Sequence, residues 1–309
     1  MRQMKQKNPT LRQGFFQKWG LAYIFLVPAI TLFCIFLIYP LIRSVVLSFQ
    51  EWKGLGDPEF IALKNYRNLF KSTNFWIALK NTLLYTVGGV TTTVVIGLCL
   101  ALAIERRVFG WKFYKFIFYI SVMLSTSVVS IMFVNLLEPN FGLVNSLLRA
   151  VGLDTWAKSW LADPNTALPA IVVVSMWQYS GFCMLLFLAA MEGIDPAIHE
   201  AATLDGVTEK DRIFYITLPI IKRSIFVVIM LQIIFSLKSF DIMQIMTKGG
   251  PGNATETLTT YLFRTAMNHS KYGLASAISV VMIVLISIVT IFYMRKTQLG
   301  DQVVEKKGW

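Results

Sequence analysis

Six apolar runs, each about the length of a helix that crosses a bilayer, divide this chain and leave few folds open to it. They cover approximately residues 20–42, 83–104, 116–137, 168–191, 225–245 and 274–293. A crossing takes roughly 20 residues of helix. Inside hydrocarbon only helices and closed barrels satisfy every backbone polar group. These runs are continuous rather than alternating, which excludes a barrel. An all-α integral membrane protein with six transmembrane helices follows. Its parts are an N-terminal tail at 1–19, a six-helix domain at 20–294 and a C-terminal tail at 295–309. Composition agrees: 55% of residues are hydrophobic and only 15% charged. A length of 309 residues, enough for two soluble domains, therefore reads as one membrane domain.

The formal net charge of +12 bears on topology rather than on nucleic acid. No basic stripe interleaved with aromatic residues is present, so nucleic acid is excluded as a partner. Cationic residues of a membrane protein gather on its cytoplasmic side, where membrane lipid is anionic. With the N-terminus inside, segments 1–19, 105–115, 192–224 and 295–309 hold 17 Lys and Arg. The outside segments 43–79, 138–167 and 246–272 hold 10. That difference places both termini in the cytoplasm. The basic start (Arg2 to Lys18) precedes an apolar run too long for a signal-peptide core, which reads as an uncleaved first span.

Little in the chain suggests chemistry. Cys34, Cys99 and Cys183 lie inside apolar runs with no CxxC or Cys/His cluster, so they read as buried thiols, and no metal site is expected. His199 and His269 are isolated, and no Ser/His/Asp or paired-carboxylate arrangement exists. There is no GxxxxGK[ST] loop to hold ATP. The chain is therefore not expected to be an enzyme or to bind a cofactor of its own.

One hydrophilic segment stands apart. Between the fourth and fifth runs, Asp195-Pro196 is a helix start, since Asp accepts from free amides and Pro is tolerated at the first helical position. Helix formers continue to Asp205, and Gly206 can take a left-handed turn without a Cβ clash. Thr208-Glu-Lys-Asp211 resembles a second capping signal, and Leu218-Pro219 marks the approach to the next span. Two short helices broken at Gly206 are predicted over 195–219.

The spacing Glu200-Ala201-Ala202, then Gly206, Ile216 and Leu218-Pro219, resembles the EAA loop of binding-protein-dependent ABC importers. Further blocks are similar to the same permeases: Asn65-Tyr66, Phe141-Gly142-Leu143, Trp177 with Gly181-Phe182, and Phe240-Asp241. Thr247-Lys248-Gly249-Gly250-Pro251 and Thr255-Glu256-Thr257-Leu258 resemble the carbohydrate-importing branch, in the maltose-transporter-like membrane subunit. Two positions depart from the pattern. Arg223 stands where a proline is common after Pro219, and Thr126-Ser127 replaces a common proline in the third span.

The resemblance implies a type I ABC importer permease (MetI-like) fold in a bacterial cell membrane. It implies a second homologous permease subunit, two ATP-binding subunits that hold ATP and Mg, an extracellular solute-binding protein, and a sugar or oligosaccharide cargo. It carries an ATPase-docking role to Glu200, Ala201, Ala202, Asp205, Gly206, Ile216, Leu218 and Pro219.

Polar residues inside spans usually face a cavity or another helix. A sugar needs amide and hydroxyl partners, and aromatic faces for its C–H surface. Asn135, Trp177, Gln178, Tyr179, Phe182, Gln232, Lys238 and Asp241 are the candidates for a substrate path. The same importer class with a non-sugar cargo stays open as an alternative. A stand-alone secondary transporter is the weaker one, since it would need mid-membrane ion-coupling carboxylates and usually an internal repeat.

Overall fold

The computed structural model describes residues 25–107 and 109–306 of the backbone, with side chains as far as residue 295. The expected N-terminal tail at 1–19 lies outside the described residues.

The first helix among the described residues is α1 (Phe25–Ser48). A two-stranded antiparallel ribbon of β1 (Gln50–Glu51) and β2 (Glu59–Phe60) follows, then α2 (Lys64–Lys71) and α3 (Thr73–Glu105). Next come α4 (Trp111–Met123), α5 (Thr126–Leu136), α6 (Leu143–Ala150) and α7 (Ala167–Glu192). The hydrophilic segment forms α8 (Pro196–Leu204) and α9 (Glu209–Ile220). The remainder is α10 (Lys222–Leu237), α11 (Asp241–Met246), α12 (Leu258–Phe263) and α13 (Tyr272–Lys306).

Four of these helices are long and apolar enough to cross a membrane, and the pairs α4–α5 and α9–α10 bring the number to as many as six. The centre of the bundle is α3 packed along α7. Val94, Ala101 and Ile104 of α3 share a buried cluster with Phe187, Leu188 and Met191 of α7. A second cluster joins Tyr85, Ile171 and Val174 to Ile242 and Met243 of α11. By contrast α1 keeps a broad apolar surface exposed, as a helix facing lipid or another subunit does.

Two expectations need correction. The run 116–137 is not one straight helix: α4 and α5 are bent by 99°. No proline makes this break. Leu124 and Ser125 are extended (ψ 139 and 136), which frees backbone groups that something else must satisfy. The buried amide of Gln178 on α7 does so, donating to the Leu124 carbonyl at 3.2 Å and to Thr126 Oγ1 at 3.3 Å. The run 225–245 likewise ends early, at Leu237. Thr259 Oγ1 donates to the Ser239 carbonyl at 2.6 Å and holds the chain as it leaves the helix. The last helix continues to Lys306, within the segment 295–309 expected as a C-terminal tail.

The segment before α12 is tied down by a buried charge. Glu256 is 1% exposed, and Arg264 Nη2 meets its Oε2 at 2.6 Å. Arg264 Nη1 also donates to Asn253 Oδ1 at 3.0 Å, and Asn81 of α3 donates to the Asn253 and Glu256 carbonyls. Burial pushes the Glu256 carboxyl above its usual range, and the Arg264 guanidinium opposes that shift. Arg264→Ala should therefore strand the carboxylate and lower stability by about 3–5 kcal/mol. A thermal unfolding midpoint in detergent checks this. The double variant Glu256→Gln/Arg264→Ala should recover part of the loss.

Candidate functional site

The hairpin between α7 and α10 follows from local chemistry. Asp195 caps α8 by accepting from the Ala197 amide at 2.9 Å, and Pro196 opens the helix. At the far end, Val207 N donates to Ala202 O at 3.0 Å and Gly206 N to Thr203 O at 3.2 Å. This is a Schellman closure, and it needs the left-handed φ of +69° that Gly206 adopts. Thr208 then caps α9 by accepting from the Asp211 amide at 3.2 Å.

Of the expected docking residues, Glu200, Ala201, Asp205, Gly206 and Pro219 are exposed, while Ile216 and Leu218 are half-buried. Ala202 is 6% exposed and turned against the body, unlike its neighbours Glu200 and Ala201. Glu200 stands at the rim of a cavity of about 320 Å³ that also takes in Glu105, Arg107, Trp111, Lys115 and His199.

A larger cavity, about 480 Å³, opens between the helices. Tyr85, Gly89 and Thr93 of α3 line it. So do Ser175, Tyr179 and Phe182 of α7, Gln232, Phe235 and Ser236 of α10, and the stretch from Lys238 to Asp241. Its hydroxyls are partly linked. Tyr85 OH meets Ser175 Oγ at 2.7 Å, and Thr126 Oγ1 meets Tyr179 OH at 2.8 Å. Gln232 is held by Nε2 donating to Cys183 Sγ at 3.1 Å. Cys183 is thus buried, but Cys34 and Cys99 are exposed on their helices, which corrects the expectation of three buried thiols.

The structure brings Tyr179, Phe182, Gln232, Lys238 and Asp241 together around this cavity and leaves three candidates outside it. Gln178 is occupied at the α4–α5 break. Trp177 points away and packs edge-on against Phe133, with centroids 5.3 Å apart. Asn135 donates to the carbonyl of Ile131 in its own helix. Sequence reasoning missed Tyr85, Thr93, Ser175, Ser236 and Ser239. Their signal was spacing: Tyr85, Gly89 and Thr93 recur every four residues, as do Ser175 with Tyr179 and Gln232 with Ser236.

Membrane-length helices around an open cavity that gathers hydroxyl, amide and charged side chains, with an exposed capped hairpin beside it, suit a transport permease. Residues 93–296 match the family described as "Binding-protein-dependent transport system inner membrane component". The chain belongs to that family, the membrane subunits of ABC importers. The probable ABC transporter permease protein YurN of Bacillus subtilis is 35% identical over 91% of this chain and 97% of its own. The sulfoquinovosyl glycerol transport system permease protein SmoG of Agrobacterium fabrum is 34% identical over 91% of both. A solved bacterial alginate ABC transporter, in complex with an alginate pentasaccharide-bound periplasmic protein, superposes with a TM-score of 0.80. It is 27% identical and covers 92% of this chain and 96% of its own. As a permease subunit the chain is a conduit and not an enzyme.

Proposed function

We propose that this permease pairs with a second, homologous permease and imports an oligosaccharide delivered by an extracellular solute-binding protein. One observation carries the reading. The helix that enters the hairpin, α7, and the helix that leaves it, α10, both line the larger cavity. A push on the hairpin therefore acts on two of the cavity's walls. Two ATP-binding subunits, holding ATP and Mg, dock on Glu200, Ala201, Asp205, Gly206, Ile216, Leu218 and Pro219, with Ala202 backing the helix from within. Their closure turns the cavity from inward- to outward-facing, a two-state rearrangement biased by ligand.

The cavity chemistry suits a saccharide. Tyr179, Phe182 and Phe235 offer aromatic faces, and Gln232, Thr93, Ser236 and Ser239 offer hydrogen-bond partners. Lys238 and Asp241 add one charge of each sign, and no ion pair joins them among the described residues. The sulfoquinovosyl glycerol and alginate relatives support the same class of cargo. The 17-to-10 bias of Lys and Arg supports a plasma-membrane orientation with both termini and the 195–219 loop in the cytoplasm.

The test is purification of the tagged chain from cells that express the complete importer. Expected is copurification of the ATPase and of the second permease, with the binding protein stabilised in a thermal-shift screen by oligosaccharides. A chain recovered free of any ATPase overturns the importer reading. Stabilisation only by amino acids or phosphodiesters overturns the cargo.

A further inference from the structure

The hairpin makes a contact that its connections to α7 and α10 do not require. Arg212, on α9 beyond the Gly206 turn, reaches Glu105, the last residue of α3 and 107 positions earlier in the chain, at 3.5 Å. Both side chains are only 18% exposed. The same Arg212 Nη2 meets Glu209 at 3.0 Å, and Glu209 in turn lies 3.8 Å from Arg106. The outer members are half-exposed and worth little. The inner pair is largely withdrawn from water, where screening is weak. Arg212 Nε is buried as well and has no hydrogen-bond partner, so both carboxylate contacts run through Nη2.

What lies at the other end of α3 gives this contact its meaning. Beneath the ion pair, Ile104, Leu188 and Ile221 pack in one apolar cluster, which favours closeness but tolerates sliding. A charge pair fixes register. From Glu105, helical rise places Thr93 about 18 Å and Tyr85 about 30 Å along α3. Both line the larger cavity.

We propose that Glu105 and Arg212 form a strut that transmits movement of the hairpin to α3, the third wall of the cavity. Arg212 and Glu105 are positioning residues: neither lines the larger cavity, and they act by making α3 follow the hairpin. This inference rests on the coupling role proposed for the hairpin.

The test uses the full importer in proteoliposomes and needs no identified sugar. Cys34 and Cys99 are replaced by Ser, and Ser236→Cys reports access to the larger cavity. A membrane-impermeant maleimide is added on the outer side, with and without ATP plus vanadate. In the parent protein, nucleotide trapping should raise labelling about tenfold. In Glu105→Gln and Arg212→Gln the rise should shrink to less than about twofold, although the ATPase copurifies and still traps nucleotide. The double variant should be no worse than either single, as expected of two partners in one contact. Glu209→Gln, which leaves the inner pair intact, should label like the parent. Should Arg212→Gln not assemble, Glu105→Gln alone carries the comparison. Parent-like labelling in the single variants, or additive losses in the double, overturns the strut. A parent complex that binds no ATPase overturns the coupling reading beneath it instead.

Discussion

Gly181→Leu should give a protein that enters the membrane but never acquires its native packing. Gly181 sits where α7 crosses α4. A Cβ placed there would lie 2.0 Å from the Phe118 carbonyl oxygen and 3.2 Å from the Tyr119 Cα. These are backbone atoms of another helix, so no side chain can swing aside. The same crossing is stitched by Ser121 Oγ, which donates to the Gln178 carbonyl at 3.2 Å, and by the Gln178 amide bond to Leu124. Separating the helices would break both. Small residues at such crossings let backbones approach in membranes, where no hydrophobic force between helices compensates for a gap. Overpacking a well-filled core costs typically 1–3 kcal/mol. Gly181→Ala belongs at the top of that range and Gly181→Leu beyond it. Size-exclusion profiles and thermal midpoints in detergent check this, with Val173→Leu on an exposed face of α7 as control. A monodisperse Gly181→Leu protein with an unchanged midpoint would show that α4 and α7 do not touch here.

That crossing also marks the limit of what was legible in the chain. Hydropathy alone locates the membrane helices, because apolar length is what a bilayer demands. It places their ends poorly. α3 begins at Thr73, ten positions before its apolar run, since Phe75 and Ala78 are buried by Leu258 and Tyr261 rather than by lipid. The bend between α4 and α5 has neither Gly nor Pro in its own segment, and its one local hint was Thr126-Ser127 standing where a proline is common. It is stabilised by Gln178, 54 residues away from Leu124. That is why Gln178 looked like a substrate contact: a polar side chain in a span needs a partner, and sequence does not say whether it is a ligand or a backbone carbonyl. The hairpin was legible in detail because its signals are local. Asp195, Pro196, Gly206 and Thr208 each act on residues within a few positions. The Glu105–Arg212 contact was not, since two charges 107 residues apart carry no common pattern.

The hairpin's own chemistry leads to the second large effect. Gly206→Pro and Glu200→Arg should each reduce uptake to background while the protein still inserts. Gly206 has a φ of +69°, whereas proline holds φ near −65° and has no N–H to give to Thr203. The Schellman closure cannot form, so α9 leaves α8 in a new direction. Gly206→Ala is the graded control. No atom lies within 4 Å of its would-be Cβ, so only left-handed strain of about 1–2 kcal/mol is added. Uptake should then fall partially, because the direction of α9 survives. Glu200→Arg leaves the backbone alone and reverses a charge at the rim of the smaller cavity, beside Arg107 and Lys115. If Glu200 meets a cation of the ATPase, the loss should be about 2 kcal/mol or more, roughly thirtyfold in ATPase affinity. Raising the salt should weaken the parent complex and leave the Glu200→Arg complex less affected, since a charge pair at an exposed rim is screened. Copurified ATPase per permease, read together with the initial rate of uptake, separates the two variants. Gly206→Pro should lose both, and Glu200→Arg should recover some ATPase at high expression. Unaltered uptake in both variants would mean that force enters the membrane domain somewhere other than this hairpin.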